Sequence, residues 1–200
     1  MKHNIIAIVG MCGSGKSVAS DILEQKGYKK VYFGGVTMEK LKEAGLEVTP
    51  ENEKMMQVKL REEHGMGAYA KLLLPRIKEY SITNDTVLDG LYSWDELKIL
   101  KDEFGDDIKV IAIIADKDIR YDRLSKREVR PFTKEEAIRR DINEIERVAK
   151  GGPIAFADYY IINNSDLKTY KMRLEEILEE VKENEKSKRF VFKLFWVERT

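Results

Sequence analysis

Residues 10–17 read Gly-Met-Cys-Gly-Ser-Gly-Lys-Ser, the G-x-x-x-x-G-K-[ST] spacing that can wrap a polyphosphate. The string follows the apolar run Ile5-Ile6-Ala7-Ile8-Val9 and precedes a helical pattern. A strand therefore delivers the loop, glycines let its N–H groups turn inward, and a helix N-terminus faces the same anion. Gly10, Gly13, Ser14, Gly15, Lys16, Ser17 and Val18 are the candidate phosphate-binding residues. Lys16 is expected to reach the β- and γ-phosphates of ATP, and the Ser17 hydroxyl to complete a Mg²⁺ shell. Asp89 ends the apolar run Thr86-Val87-Leu88. A carboxylate there is expected to hold the metal with Ser17 and to orient or deprotonate an attacking oxygen. The plainer alternative is that Asp89-Gly90 is only a turn.

A third group of candidates is basic. The segment 120–130 carries Arg123 and Arg127 at i,i+4 spacing, which places them on one helical face, followed by Arg130, while Arg139 and Arg140 return from the next helix. Guanidinium groups on a closing lid would stabilise a transferring phosphoryl group and exclude water. The alternative is an exposed helix laced by salt bridges, for which Asp122, Glu128, Glu135 and Glu136 supply the partners. His3 and His64 share no metal-ligand spacing, and neither pairs with a Ser or Cys as a nucleophile's base would. A guanine-reading Asn-Lys-x-Asp signature is missing; Asp116-Lys117-Asp118-Ile119 is the nearest approach.

The elements that position these groups alternate. The sequence predicts strands at Ile5–Val9, Val31–Phe33, Thr86–Leu88, Ile108–Ile114 and Tyr159–Ile162, each short and nearly continuous in apolar residues. Helical patterns run over Val18–Lys26, over much of 36–80, from Ser93 with Glu96 as a capping box, on both sides of Pro131, and over Leu167–Val181. Such alternation predicts a parallel sheet covered on both faces, with ligands at the strands' carboxyl ends. The tail from Arg189 to Val197 alternates with period two rather than a helical period, and is expected to pack within the fold or a homodimer.

Composition narrows the function. Two hundred residues with 42% hydrophobic content suit a single domain. Lys+Arg and Asp+Glu balance at 36 each, so no basic field draws the chain to nucleic acid or an anionic membrane. A small-molecule partner fits better. With neither a signal-like start nor a spanning apolar run, a cytoplasmic location is expected. The single cysteine, Cys12, excludes an internal disulfide and a thiolate metal cluster.

Taken together, the loop at Gly10–Ser17, the strand-end Asp89-Gly90, the Arg123/Arg127/Arg130 group and the stretch Ala157-Asp158-Tyr159-Tyr160-Ile161-Ile162-Asn163 resemble the nucleoside monophosphate kinase and dephospho-coenzyme A kinase group of P-loop kinases. Within that group the archaeal-type adenylate-kinase-related proteins are the most similar. The resemblance covers about residues 4–182 and implies a three-layer α/β/α P-loop NTPase sandwich, with a five-stranded parallel sheet of order 2-3-1-4-5. It further implies an acceptor-binding helical insertion at 36–80, a lid at 117–150, and Asn163 close to the adenine of ATP. The acceptor side departs from the pattern. Gly34-Gly35-Val36 and Leu91-Tyr92-Ser93 stand where relatives often carry an acid and arginines, leaving Arg61, Lys40 and Arg76 as substitutes. The expectation is an ATP- and Mg²⁺-dependent kinase of a nucleotide-like acceptor; the rival is a nucleotide-responsive binding protein whose tail recruits a partner.

Overall fold

Strand β1 (Ile5–Val9) is buried at all five positions, as the continuous apolar run requires of a central strand. The computed structural model describes the backbone of residues 3–197 and the side chains of residues 3–184. The chain divides into two compact units, Met1–Asn164 and Ser165–Thr200. In the first, β1 is joined by β2 (Lys29–Tyr32), β3 (Thr86–Asp89), β4 (Ile108–Ile114) and β5 (Tyr159–Ile162) in one parallel sheet of order β2-β3-β1-β4-β5. Ile8 lies level with both Asp89 and Ile111, and Tyr32 with Asp89, so the carboxyl ends of β1 to β4 form one edge.

Helices cover both faces of this sheet. Helix α1 (Lys16–Gln25) leaves the phosphate loop and buries Ala19 and Leu23. On the other face, Ile5, Ala7 and Val9 join Leu88, Val110 and Ala112 in a core shared with α2 (Gly35–Glu43), α3 (Pro50–His64), α4 (Ala68–Thr83) and α5 (Trp94–Phe104). Helices α2 to α4 are the expected insertion. Thr49 caps α3, accepting from the Asn52 N–H at 3.2 Å, and Pro50 opens its first turn. Next come α6 (Lys117–Ser125), α7 (Lys134–Glu146) and the short α8 (Gly151–Ala155). No helix among the described residues is long and apolar enough to cross a membrane.

Two local expectations are corrected. Helix α6 stops at Ser125, so Arg123 and Arg127 do not share a helical face. Pro131 disfavours helix in the residue before it, and Arg130 adopts φ 51°. In the second unit, α9 spans Leu167–Val197, so the backbone over 189–197 is helical rather than a strand. Seven of its nine residues are apolar, and alternation in so apolar a stretch cannot tell one period from another. How its aromatic side chains pack lies outside the described residues.

The start of α5 buries a carboxyl group. Ser93 Oγ accepts from the Glu96 N–H and donates to the Met66 carbonyl, both at 3.0 Å. Glu96 Oε2 accepts from the N–H groups of Tyr92 and Ser93 at 2.8 and 3.0 Å. Its Oε1 is buried without a partner. Burial raises the Glu96 carboxyl from its ordinary 4.5 to about 7, against the opposing pull of those N–H groups. Between these values the native state holds a proton that the unfolded chain has released, so stability falls as pH rises from about 4.5 to about 7. Glu96→Gln keeps the capping geometry and should remove that slope. Urea unfolding at pH 5 and pH 7 should show the variant gaining on the wild type by on the order of 2–3 kcal/mol at the higher pH.

Candidate functional site

The phosphate loop bridges β1 and α1 in a conformation that side chains would obstruct. Gly13 (φ 81°) and Gly15 (φ 101°) take left-handed backbone. A Cβ on Gly13 would lie 2.8 Å from the Arg120 carbonyl, and one on Gly15 would meet the Asn163 carboxamide. Ser14 is fully buried, while Ser17 and Val18 lie exposed at the start of α1.

Lys16 Nζ donates to the Met11 carbonyl at 2.9 Å, folding back along its own loop. Burial, then the neighbouring Lys150 charge, lower its ammonium from 10.5 to about 7, while Glu144, Cys12 and Asp89 pull the other way.

Asp89 sits where the sequence placed it. Its Oδ2 accepts from Ser20 Oγ at 2.9 Å, and the same hydroxyl lies 3.0 Å from the Ser17 carbonyl. One side chain thus ties the first turn of α1 to the end of β3. Lys30 stands 3.7 Å from Asp89 while bonding Asp21 at 2.6 Å. No cluster of three or more His, Cys, Asp or Glu side chains that could hold a metal ion exists among the described residues. Ser17 and Asp89, with Oδ1 left for a metal or its water, fit Mg²⁺ because that ion takes few protein ligands and completes its shell with water and phosphate oxygens.

The basic candidates separate. Arg123 Nη2 donates to the Asn163 carbonyl at 2.9 Å, and Asn163 Nδ2 donates to the Ser14 carbonyl at 2.8 Å, so both brace the loop from β5. Arg130 pairs with Glu53 of α3 at 3.4 Å. Arg127 is exposed, with no ion pair or hydrogen bond among the described residues. On the acceptor side, Arg76 makes a bidentate pair with Glu39 at 3.0 and 3.1 Å, and Lys40 bonds Glu43 at 2.7 Å; both pairs are exposed. Arg61 alone of the three substitutes turns inward, its guanidinium 5.2 Å from the Tyr69 ring centroid. The Gly34 position is filled from elsewhere, because a Cβ there would strike the Tyr32 ring.

Four residues absent from the sequence-based candidates complete the site. Arg120, 6% exposed, donates from Nη1 to the Cys12 carbonyl at 3.0 Å and makes two bonds to Asp141 at 2.8 and 2.6 Å. Glu144 Oε2 accepts from the Cys12 N–H at 3.1 Å, and Oε1 from Arg140 Nε at 3.0 Å. The peptide groups on either side of Cys12 are therefore gripped, one by α6 and one by α7. Lys150 Nζ lies 2.9 Å from Glu144 Oε2 and 4.5 Å from the Tyr92 ring centroid. The i,i+4 spacing of Arg140 and Glu144 was a usable signal; nothing local marks Lys150 or pairs Arg120 with Asp141.

This geometry is that of a P-loop kinase fold. The chain matches the family model described as "AAA domain" over residues 6–149. It is 34% identical to a UPF0200 protein of Thermococcus onnurineus over 88% of this chain and 97% of that one. To a UPF0200 protein of Sulfurisphaera tokodaii it is 36% identical, with the same coverages. The chain thus belongs to the UPF0200 family and carries the AAA-domain family match over residues 6–149. Among solved structures it is similar to TT1252 from Thermus thermophilus (TM-score 0.62, 18% identity, 90% of this chain and 98% of that one). It is also similar to shikimate kinase from Acinetobacter baumannii in complex with shikimate (TM-score 0.60, 16% identity, 91% and 94%). A gluconokinase from Sinorhizobium meliloti superposes comparably (TM-score 0.60, 12% identity, 92% and 97%). These structural likenesses concern the fold.

The Arg120–Asp141 pair yields a stability test. Arg120→Met strands a buried carboxylate and should destabilise by about 3–5 kcal/mol, whereas Arg120→Met with Asp141→Leu should recover most of that loss. Urea unfolding of the wild type, both single variants and the double variant measures the coupling.

Proposed function

We propose that this protein is an ATP- and Mg²⁺-dependent phosphotransferase acting on a small nucleotide-like acceptor, of the nucleoside monophosphate or dephospho-coenzyme A type. The observation that carries this reading is the grouping of Lys16, Arg140 and Lys150 around Glu144 beside the phosphate loop, with the Asp89 carboxylate at the adjoining strand end. Phosphoryl transfer needs positioning and positive charge more than covalent help, and the site is rich in both.

In this reading the amides of residues 13–17 cradle the donor's β-phosphate, and Lys16 leaves the Met11 carbonyl to meet it. Mg²⁺ held by Ser17, Asp89 and phosphate oxygens would neutralise charge on the leaving diphosphate. The bond from γ-phosphorus to the β,γ-bridging oxygen breaks as the acceptor oxygen bonds to that phosphorus. An acceptor hydroxyl gives its proton to Asp89; a dianionic phosphate acceptor has none to give. The insertion α2–α4 selects the acceptor, with Arg61 its inward-facing cation and Tyr32 lying where relatives of the kinase group place polar side chains. Asn163 acts from beneath the loop, and Arg123 holds Asn163. Arg127 and Arg130 belong to the lid mouth.

A second reading is favoured by one observation: Lys40 and Arg76 are already held in exposed ion pairs with Glu43 and Glu39. Under it, the protein binds nucleotide and signals to a partner without catalysis. One assay separates the two. Labelled ATP incubated with a panel of nucleoside monophosphates and dephospho-coenzyme A should pass its label to one of them. Lys16→Ala should abolish that transfer while circular dichroism and the melting temperature show an intact fold. Nucleotide binding with no labelled product from any acceptor favours the second reading.

A further inference from the structure

Lys150 is the most enclosed cation near the phosphate loop. It follows α7, where the chain turns through Ala149 at φ 50° and the Lys150 N–H donates to the Glu144 carbonyl at 3.0 Å. That turn lays the Lys150 side chain along Glu144. The residue is 1% exposed, Glu144 4%. Nζ lies 2.9 Å from Glu144 Oε2 in a buried ion pair that occupies one of the three ammonium protons and leaves two for another acceptor.

The surrounding charge is lopsided. Glu144 faces Arg140 and Lys150 directly and the Cys12 N–H as well, and its field reaches Lys16. Three cations thus crowd one carboxylate, with Asp89 the further anion acting on Lys16. Arg140 lies exposed, whereas Lys150 and Glu144 are buried together and the half-buried Lys16 adjoins them, so two lysines share the field of Glu144, a placement that an entering anion would relieve. Burial lowers the Lys150 ammonium against the pull of Glu144, and Lys16 is lowered by burial first and by Lys150 second.

Position says which part of a donor Lys150 would touch. Loop amides and Lys16 approach from the β1–α1 side. Lys150 comes from the α7–α8 turn and rests over Tyr92, three residues beyond Asp89. It therefore lies on the side where the end of β3 meets the loop, which is where a terminal phosphoryl group would face its acceptor.

We propose that Lys150 is a second phosphoryl-binding cation that contacts the terminal phosphoryl group of the donor, with Glu144 as the internal anion that holds it ready and yields the Cys12 N–H and the ammonium to phosphate. This rests on the phosphotransferase reading above and adds to it a catalytic group from outside the loop motif. Arg140, held on the other oxygen of the same carboxylate, is released toward the same phosphoryl group.

The test compares a diphosphate with a triphosphate. Calorimetry on the full chain with Mg²⁺ measures binding of ADP and of the non-hydrolysable β,γ-imido analogue of ATP. Losing one charge-assisted contact to the terminal phosphoryl group, Lys150→Met should weaken the triphosphate analogue by about tenfold to a hundredfold while leaving ADP within about twofold. Lys150→Arg, which keeps the charge, should recover part of the discrimination. A merely structural lysine would lower both affinities together or neither, and either result overturns the proposal. Should Lys150→Met fail to fold, Lys150→Gln is scored by the same ratio. A wild-type protein that binds neither nucleotide overturns the phosphotransferase reading itself, an outcome distinct from an unchanged ratio in the variant.

Discussion

The phosphate loop and its half-buried Lys16 depend on one carboxylate, Glu144, which accepts from the Cys12 N–H and whose charge acts on Lys16. Desolvation weakens the charge on Lys16, and Lys150 weakens it further. The fold tolerates this because Glu144 reaches from α7 to the Cys12 N–H and partly satisfies the neighbouring cations. A carboxylate is a fair substitute for a phosphate oxygen in charge and hydrogen bonding, and it can be displaced by a group with more of both.

The same contacts join the loop to the helices beyond β4. Arg120 holds the Cys12 carbonyl while pairing with Asp141, and Glu144 holds the Cys12 N–H, so a single loop residue is fastened to α6 and α7 at once. Asn163 and Arg123 add a brace from the end of β5. Any ligand that competes for Glu144 acts on one of these ties directly. The loop and α7 are thus physically linked through the Cys12–Glu144 hydrogen bond.

Much of the fold was legible in the chain. Five apolar runs separated by helical patterns appear as five parallel strands, with the end of each shifted by at most two residues, because buried parallel strands need continuous apolar sequence. Thr49-Pro50 and the Ser93/Glu96 capping box mark helix starts by local hydrogen bonding and do so in the structure. The lid was harder. Arg123 and Arg127 obey helical spacing, yet the helix ends between them ahead of Pro131, and the tail's alternation gave the wrong period where nearly every residue is apolar. In the stretch around Asp158, which carried part of the family resemblance, the Asp158 Oδ2 accepts the Val110 N–H at 2.8 Å and fastens the start of β5 to β4.

What the sequence determined by itself was whatever depends on contiguous residues: the phosphate loop, the strand that delivers it, the helix that leaves it, and a carboxylate closing an apolar strand. Backbone geometry and hydrophobic periodicity are local, so they are written locally. Only the tertiary structure decided which charges meet. Arg120 with Asp141, Cys12 with Glu144 and Lys16 with Lys150 are separated by 21, 132 and 134 residues. The energy of each pairing comes from burial and distance in space, and neither quantity exists until the sheet has brought those helices to the same edge.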